Sequence, residues 1–331
     1  MKRSVIFFAV LAIAVGVGAA DLAQLEELIA DSKAAYVANP SSANLAELDA
    51  AVEAFQYALP ASMKSFKGMA TETEPNDTAG TANTPPAGDY VVADISPAGD
   101  VDYFVSGGNA VSDLVYAAVN TSNTTSGTDS QLNVYADDGI TLIEFDDDGG
   151  PGLASCVAGG VVPQAGDVYF VPNEYGNNGE ITPYELHWVV APEFDFASET
   201  EPNDTFATAT PISATFMAGL IPSGAADVDF YSFAATAGDL IHVIVDDDPD
   251  GNASNLDTEL DLLDTDGTTV LAAGDDGSWS NNCAGTTAAP TTGTYFVRLS
   301  DGGTSPDSDY RFTVIVEGAA VPVDLMSFSI E

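Results

Sequence analysis

Two rhythms of apolar and polar positions divide the chain. From residue 21 to 68 the apolar side chains return every three or four places, at Leu22, Leu25, Ile29 and Tyr36 and then at Leu45, Leu48, Val52, Phe55 and Leu59. That is the spacing of one helix face. Asn39-Pro40 stops the first run, Asn44 and Glu47 stand as a capping box for the second, and Pro60 ends it. Residues 21–68 are therefore expected to form a short α-helical hairpin.

From about Met69 the period becomes two, and clusters of Gly, Asn, Asp and Pro interrupt it about every eight to twelve residues, the pattern of antiparallel strands. In the C-terminal half, strands are expected near Thr215 to Leu220, Val228 to Ala235, Leu240 to Asp246, Thr258 to Leu263, Thr269 to Ala273, Thr294 to Ser300 and Tyr310 to Val316. Matching segments occupy the first half. About seven short strands in about 120 residues predict a two-sheet sandwich of the immunoglobulin-like or jelly-roll kind. The chain is thus expected to be mainly β, two tandem antiparallel β-sandwich domains over 69–192 and 193–318 with a loose tail over 319–331.

The halves share more than a rhythm. Glu72-Thr73-Glu74-Pro75-Asn76-Asp77-Thr78 is written again as Glu199-Thr200-Glu201-Pro202-Asn203-Asp204-Thr205, 127 residues on. Asp100-Val101-Asp102 returns as Asp227-Val228-Asp229 and Cys156 as Cys283 at the same spacing, while Tyr184 returns as Tyr310 after 126. One unit has been duplicated.

The first twenty residues read as a secretory signal: Lys2 and Arg3, an apolar run from Val5 to Val17, and Gly18-Ala19-Ala20 before the expected cleavage. The run is shorter than the roughly 20 residues that span a bilayer. The mature product is expected outside the cytoplasm, secreted, periplasmic or at the cell surface, with no membrane insertion after cleavage. Seven Lys and Arg, two of them in the signal, face 51 Asp and Glu, for a formal charge of −44. Such a surface repels nucleic acid and anionic lipid. With 45% apolar residues, the chain is still able to build cores.

The repeated heptapeptide offers oxygen chemistry. Glu72, Glu74, Asn76 and Asp77, like Glu199, Glu201, Asn203 and Asp204, put three carboxylates and an amide within six residues. Calcium takes six to eight such oxygens, so further ligands must come from elsewhere. Asp100 and Asp102 are the candidates in the first copy, Asp227 and Asp229 in the second. The expected cofactor is Ca²⁺, one per sandwich.

The remaining motifs carry less. His187 and His242 lie in alternating segments with no counterpart in the other copy and read as structural strand residues. Asp138-Gly139, Asp266-Gly267, Asp146 to Gly149 and Asp275 to Gly277 read as turns, with a second cation site in the Asp146 to Gly149 and Asp275 to Gly277 loops as the alternative. There is no His-Glu-x-x-His, Gly-x-Ser-x-Gly or phosphate loop, so no catalytic residue is expected. Cys156 and Cys283 stand at equivalent places in the two copies, which excludes a bond within one domain. A cross-domain disulfide, a bond between molecules, and two buried thiols all remain open, the first being preferred.

The order of these landmarks resembles the bacterial pre-peptidase C-terminal domain, a family that includes the collagen-binding domains of clostridial collagenases. The resemblance rests on Glu-x-Glu-Pro-Asn-Asp-Thr, then Asp-Val-Asp before an aromatic strand, a Leu-x-Leu strand ending at Asp-Gly, Gly-(x)-Tyr-Phe-Val, and a last strand opened by Tyr184 or Tyr310. It implies a jelly-roll sandwich appended to secreted hydrolases, with the acidic segment wrapping a calcium site at the sandwich edge. The collagenase pattern spaces its two later aspartates three apart and this chain two apart, so Asp102 and Asp229, directly before the aromatic strand, are the better matches. No catalytic domain is expected beside them. The expected function is a secreted, non-catalytic, calcium-binding module that attaches to an extracellular protein or polysaccharide surface. The alternatives are a secretion or maturation accessory of a separately encoded hydrolase and, behind it, an unrecognised hydrolase.

Overall fold

The computed structural model describes residues 69–86, 90–222, 227–249, 258–275, 282–286, 288–302, 308–316 and 319–320. The expected signal and helical hairpin lie outside the described residues, as do Asp276-Gly277 and most of the tail. Among the described residues no helix is long and apolar enough to cross a membrane.

The first half contains β1 (Met69–Thr71), β2 (Tyr90–Ile95), β3 (Phe104–Asn109), β4 (Asp113–Asn120), β5 (Ser130–Tyr135), β6 (Leu142–Asp146), β7 (Cys156–Val161), β8 (Gly166–Glu174) and β9 (Ile181–Pro192). The second contains β10 (Phe196–Ser198), β11 (Thr210–Pro211), β12 (Phe216–Ile221), β13 (Val228–Ala235), β14 (Ile241–Asp246), β15 (Thr258–Leu263), β16 (Val270–Asp275), β17 (Asn282–Thr286), β18 (Gly293–Asp301), β19 (Ser308–Val316) and β20 (Ala319–Ala320). A sheet ordered β1-β2-β9-β4-β7 faces one ordered β3-β8-β5-β6, and β10-β12-β19-β14-β17 faces β11-β13-β18-β15-β16. The two orders correspond strand for strand apart from β11, in whose place the first sandwich has a single bridge from Asn83 to Phe104, and β20, which pairs with β19. Pairing is antiparallel except where the short β1, β10 and β11 join β2, β12 and β13 in parallel. The fold is a tandem of jelly-roll-like β-sandwiches.

Each sandwich has its own core, because alternate side chains of both sheets point inward. In the first, Val91, Val115, Ala117, Leu132, Val134, Phe170 and Leu186 meet between the sheets; in the second, Val243, Leu260, Leu262, Val297 and Phe312 do so. β5 shows the alternation plainly, with Leu132 and Val134 buried and Gln131, Asn133 and Tyr135 partly exposed. The Asp-Gly turns fall where expected: Asp138 accepts from the Ile140 and Thr141 amides and Asp266 from those of Thr268 and Thr269, each followed by a glycine at positive φ.

Two strands break the alternation. Seven of the eight residues of β4 and all six of β14 are buried, so both faces of each strand are covered. The inner faces cover the cores and the outer faces cover one another. Leu114, Tyr116, Ala118, Cys156 and Ala158 of the first sandwich pack on Phe216, Ile244, Cys283 and Ile315 of the second, with Tyr116 and Phe216 ring centroids 4.9 Å apart. Cys156 and Cys283 are joined by a disulfide across this seam, their Cα atoms 6.3 Å apart, which removes the thiol alternative. His187 of β9 and His242 of β14 also meet there at 4.0 Å between ring centroids, and burial pushes the His187 imidazole down to about 3, so that ring is neutral.

Candidate metal centre

Both acidic peptides are held by the same local devices. Asn83 ties down the first: its Oδ1 accepts from the Thr73 amide at 2.6 Å and its Nδ2 donates to the Thr73 carbonyl at 3.0 Å. Thr210 does this in the second copy, its Oγ1 accepting from the Thr200 amide at 3.0 Å. The carbonyls of Asn76 and Asn203 then accept from the Tyr103 and Phe230 amides, both at 3.0 Å. These bonds lay each heptapeptide across the start of β3 or β13 and bring distant carboxylates together.

Oxygens converge in each sandwich. One carboxylate oxygen from each of Glu72, Glu74 and Asp102 lies within 4.8 Å of the others, and Glu199, Glu201 and Asp229 form the same group in the second copy. Asp102 and Asp229 are 0% exposed, and so are the amides of Asn76 and Asn203. Tyr184 donates its hydroxyl to Asp102 Oδ2 at 2.6 Å, and Tyr310 does the same for Asp229. Glu72 Oε1 accepts from the Asp94 amide at 2.7 Å and Glu199 Oε1 from the Leu220 amide at 2.8 Å. Glu74 and Glu201 accept from the backbone N–H groups of Asn76 and Asn203, both at 2.9 Å.

The amide heads are informative. Asn76 turns one polar atom toward Asp102 Oδ1 at 3.1 Å and Glu74 Oε2 at 3.2 Å, and Asn203 turns the same atom toward Asp229 Oδ1 at 3.1 Å and Glu201 Oε2 at 3.0 Å. With the oxygen inward, three acceptors crowd one point, an arrangement that a cation between them would satisfy. With the amide rotated, its NH₂ donates to both carboxylates instead. The buried side chain therefore offers one orientation to an ion and the other to an ion-free site.

The electrostatics agree with a site that wants positive charge. Burial raises Asp102 far above the ordinary carboxylate range, and the charges of Glu72, Asp100 and Glu74 raise it further. Asp229 is raised by burial and then by Glu199 and Asp227. Glu72 is raised by burial, with Glu74 and Asp94 adding to it. Protons or a cation must neutralise part of this charge, and the donor set of carboxylate and amide oxygens suits a hard divalent cation.

The outer residues differ between copies. Glu74, Asp77 and Asp100 form a second group within 4.8 Å, so the five carboxylates of the first copy fall into two overlapping triads that share Glu74. Asp100 also caps its own turn, accepting from the Ser96 and Val101 amides. Asp227 is raised by burial and by the nearby Glu201 and Asp204. Asp77 and Asp204 are exposed.

The sequence did not disclose the tyrosine of the second copy that reaches the site from below. Tyr231 stands where the first copy has Phe104, and its hydroxyl lies 3.0 Å from Glu199 Oε2 and 2.6 Å from the Tyr310 hydroxyl. Glu72 Oε2, the atom equivalent to Glu199 Oε2, is buried with no hydrogen-bond partner. The acidic loop at Asp146 is structural, its Oδ2 accepting from the Gly149 and Cys156 amides.

Residues 227–301, which include Asp227 and Asp229, match the family model of the bacterial pre-peptidase C-terminal domain. Among solved structures, the pre-peptidase C-terminal domain of a Bacillus anthracis collagenase is similar over 35% of this chain and 99% of its own, at 19% identity and a TM-score of 0.26. A periplasmic inhibitor of g-type lysozyme from Aeromonas hydrophila is similar over 37% of this chain and 97% of its own, at 11% identity and a TM-score of 0.25. No curated protein matches the chain.

Proposed function

We propose, for a chain whose second sandwich carries the pre-peptidase C-terminal domain pattern, a secreted and non-catalytic protein whose two sandwiches each bind calcium and which serves as a binding or surface-attachment module. The observation that supports it is the convergence in both copies of two glutamates, a buried aspartate and a buried asparagine amide on one point. Glu72, Glu74, Asn76 and Asp102, with Asp77 and Asp100 beside them, would hold one ion. Glu199, Glu201, Asn203 and Asp229, with Asp204 and Asp227, would hold the other. The ion supplies positive charge where burial and mutual repulsion disfavour the carboxylates. In each copy it fastens the acidic peptide to the strands behind it and stiffens the edge of the sandwich.

Binding confined to the folded state stabilises it by RT ln(1 + [L]/Kd), about 2.7 kcal/mol at a hundredfold excess over Kd. The thermal midpoint should rise with added Ca²⁺ and fall with chelator, and an unchanged midpoint in both conditions removes the reading. Retention of the calcium-loaded protein on cells, collagen or polysaccharide tests the attachment role. Recovery from culture supernatant as a stoichiometric complex with a hydrolase would favour an accessory role instead.

A further inference from the structure

A second cluster, unrelated to the acidic rims, lies in the seam between the sandwiches. Glu185 and His187 alternate along β9, with their side chains on the face turned toward the second sandwich, and His242 comes from the outer face of β14. One ligand atom from each of the three lies within 4.8 Å of the others. Both imidazoles are buried, His187 at 0% and His242 at 4% exposure. His187 Nδ1, His187 Nε2 and His242 Nε2 are buried without any hydrogen-bond partner.

A buried polar atom left without a hydrogen-bond partner destabilises the fold, and three of them lie here where a phenylalanine pair would leave none. The surroundings are built for the rings. Tyr90 stacks on His187 at 4.8 Å, and Gly285 lies so close beneath His242 that an added Cβ would fall 2.6 Å from Nδ1. The carboxylate is oriented as well: Asn120 Nδ2 donates to Glu185 Oε2 at 2.6 Å, and Asn123 Nδ2 lies 3.4 Å from Oε1. His187 Nε2 faces Glu185 Oε2 at 3.9 Å, too far for a hydrogen bond. Two imidazoles and a carboxylate held by an outer amide form a ligand set suited to zinc and its neighbours rather than to calcium.

We infer that the seam holds a site for a divalent transition metal of the zinc class, with Glu185 and His187 of the first sandwich and His242 of the second as its protein ligands. The inference is independent of the calcium reading. An ion held there joins the two sandwiches by coordination, as Cys156–Cys283 joins them covalently.

The test uses the full mature chain in excess Ca²⁺, unfolded in guanidinium without reductant, refolded with Zn²⁺, passed over a desalting column and assayed for metal. One zinc per chain should be retained, and Co²⁺ in its place should give visible d–d absorption. His187→Gln and His242→Gln should each weaken retention by roughly tenfold or more and abolish the cobalt spectrum. Glu74→Gln with Asp77→Asn should retain zinc as the parent does. A cooperative thermal unfolding transition like the parent's shows that a histidine variant is folded. Should either fail to fold, Glu185→Gln, at the edge of the seam, carries the test and should weaken retention by roughly tenfold. Failure of the parent to retain zinc, displacement of the zinc by Ca²⁺, or equal retention in the substituted proteins overturns the inference.

Discussion

The two rims present the same acidic peptide, the same buried aspartate and the same tyrosine hydroxyl on it, and among their differences is the setting of one carboxylate oxygen. In the second sandwich Glu199 Oε2 has the Tyr231 hydroxyl at 3.0 Å and the Tyr310 hydroxyl at 3.2 Å. In the first, Phe104 stands where Tyr231 would be, and Glu72 Oε2 is buried alone. A second difference accompanies this one. Gly219 lies opposite Tyr310 in the sheet, where an added Cβ would collide with the phenol, while Ala93 lies opposite Tyr184 in the first copy. The second rim has therefore exchanged a methyl group for a hydroxyl and satisfies its glutamate from within. The first leaves that oxygen to a proton or a cation, and Glu72 is accordingly raised by burial.

The strongest way to break the comparison is to remove one rim at a time. Glu74→Gln with Asp77→Asn should abolish the calcium response of the first sandwich, about 2.7 kcal/mol at a hundredfold excess over Kd, and leave that of the second intact. Glu201→Gln with Asp204→Asn should do the converse. Hydrogen exchange at the Asp94 and Leu220 amides, which donate to Glu72 and Glu199, reads each rim separately. Loss of protection at both amides from either pair of substitutions would show that the rims are not independent. In the parent protein, chelator should accelerate exchange at Asp94 more than at Leu220.

A smaller effect sharpens it. Tyr231→Phe should make the second rim behave as the first, costing about 1 kcal/mol in chelator and less in calcium, because it removes the hydroxyl that donates to Glu199 Oε2. Phe104→Tyr with Ala93→Gly is the reverse exchange and should narrow the difference between Asp94 and Leu220 exchange in chelator. If neither exchange moves that difference, the orphaned oxygen is not its source.

A pH-dependent effect concerns the seam both sandwiches share. Asp246 of β14 is pushed up to about 7, by burial first and by the charges of Glu144 and Asp248 after the Asp248 amide and Arg311 have lowered it. A carboxyl raised in the folded state contributes stability that is fully present below the unfolded value of 3.8 and is lost as pH rises through about 7. Asp246→Asn should therefore raise the thermal midpoint at pH 8 and leave it unchanged near pH 3.5. A gain of equal size at both pH values would mean that the charge is not responsible.

Much of this was legible in the residues. The alternation at Val228 to Ala235 and Thr258 to Leu263 gave β13 and β15 to the residue, because each has one face on the core, although the other face carries a small apolar cluster of its own at Phe230, Leu263 and Phe296. β17 escaped, since Asn282-Cys283-Ala284-Gly285-Thr286 has no apolar rhythm and becomes a strand through its pairing with β14. The rim announced itself by repetition, and Asp102 and Asp229 were the favoured aspartates. Tyr231 could not be placed there, because only strand register and sheet packing decide where its hydroxyl ends. The seam had a signal that alternation obscured: Leu114 to Val119 and Ile241 to Val245 run almost without polar interruption, the mark of a strand covered on both sides. His242 interrupts the second run. A polar ring within a doubly covered strand was the visible sign of the cluster with His187 and Glu185.

The disulfide also settles how the molecule would carry a mechanical load. Tension applied through its two flanks runs along the chain to Cys156, crosses to Cys283 and continues outward, so the 127-residue span between them is bypassed. The Glu72 to Asp77 peptide lies on the stretched path, and the Glu199 to Asp204 peptide lies inside the sheltered loop. Under pulling, the rim with the unsatisfied oxygen bears the force, and its twin is spared until the sulfur bridge is reduced.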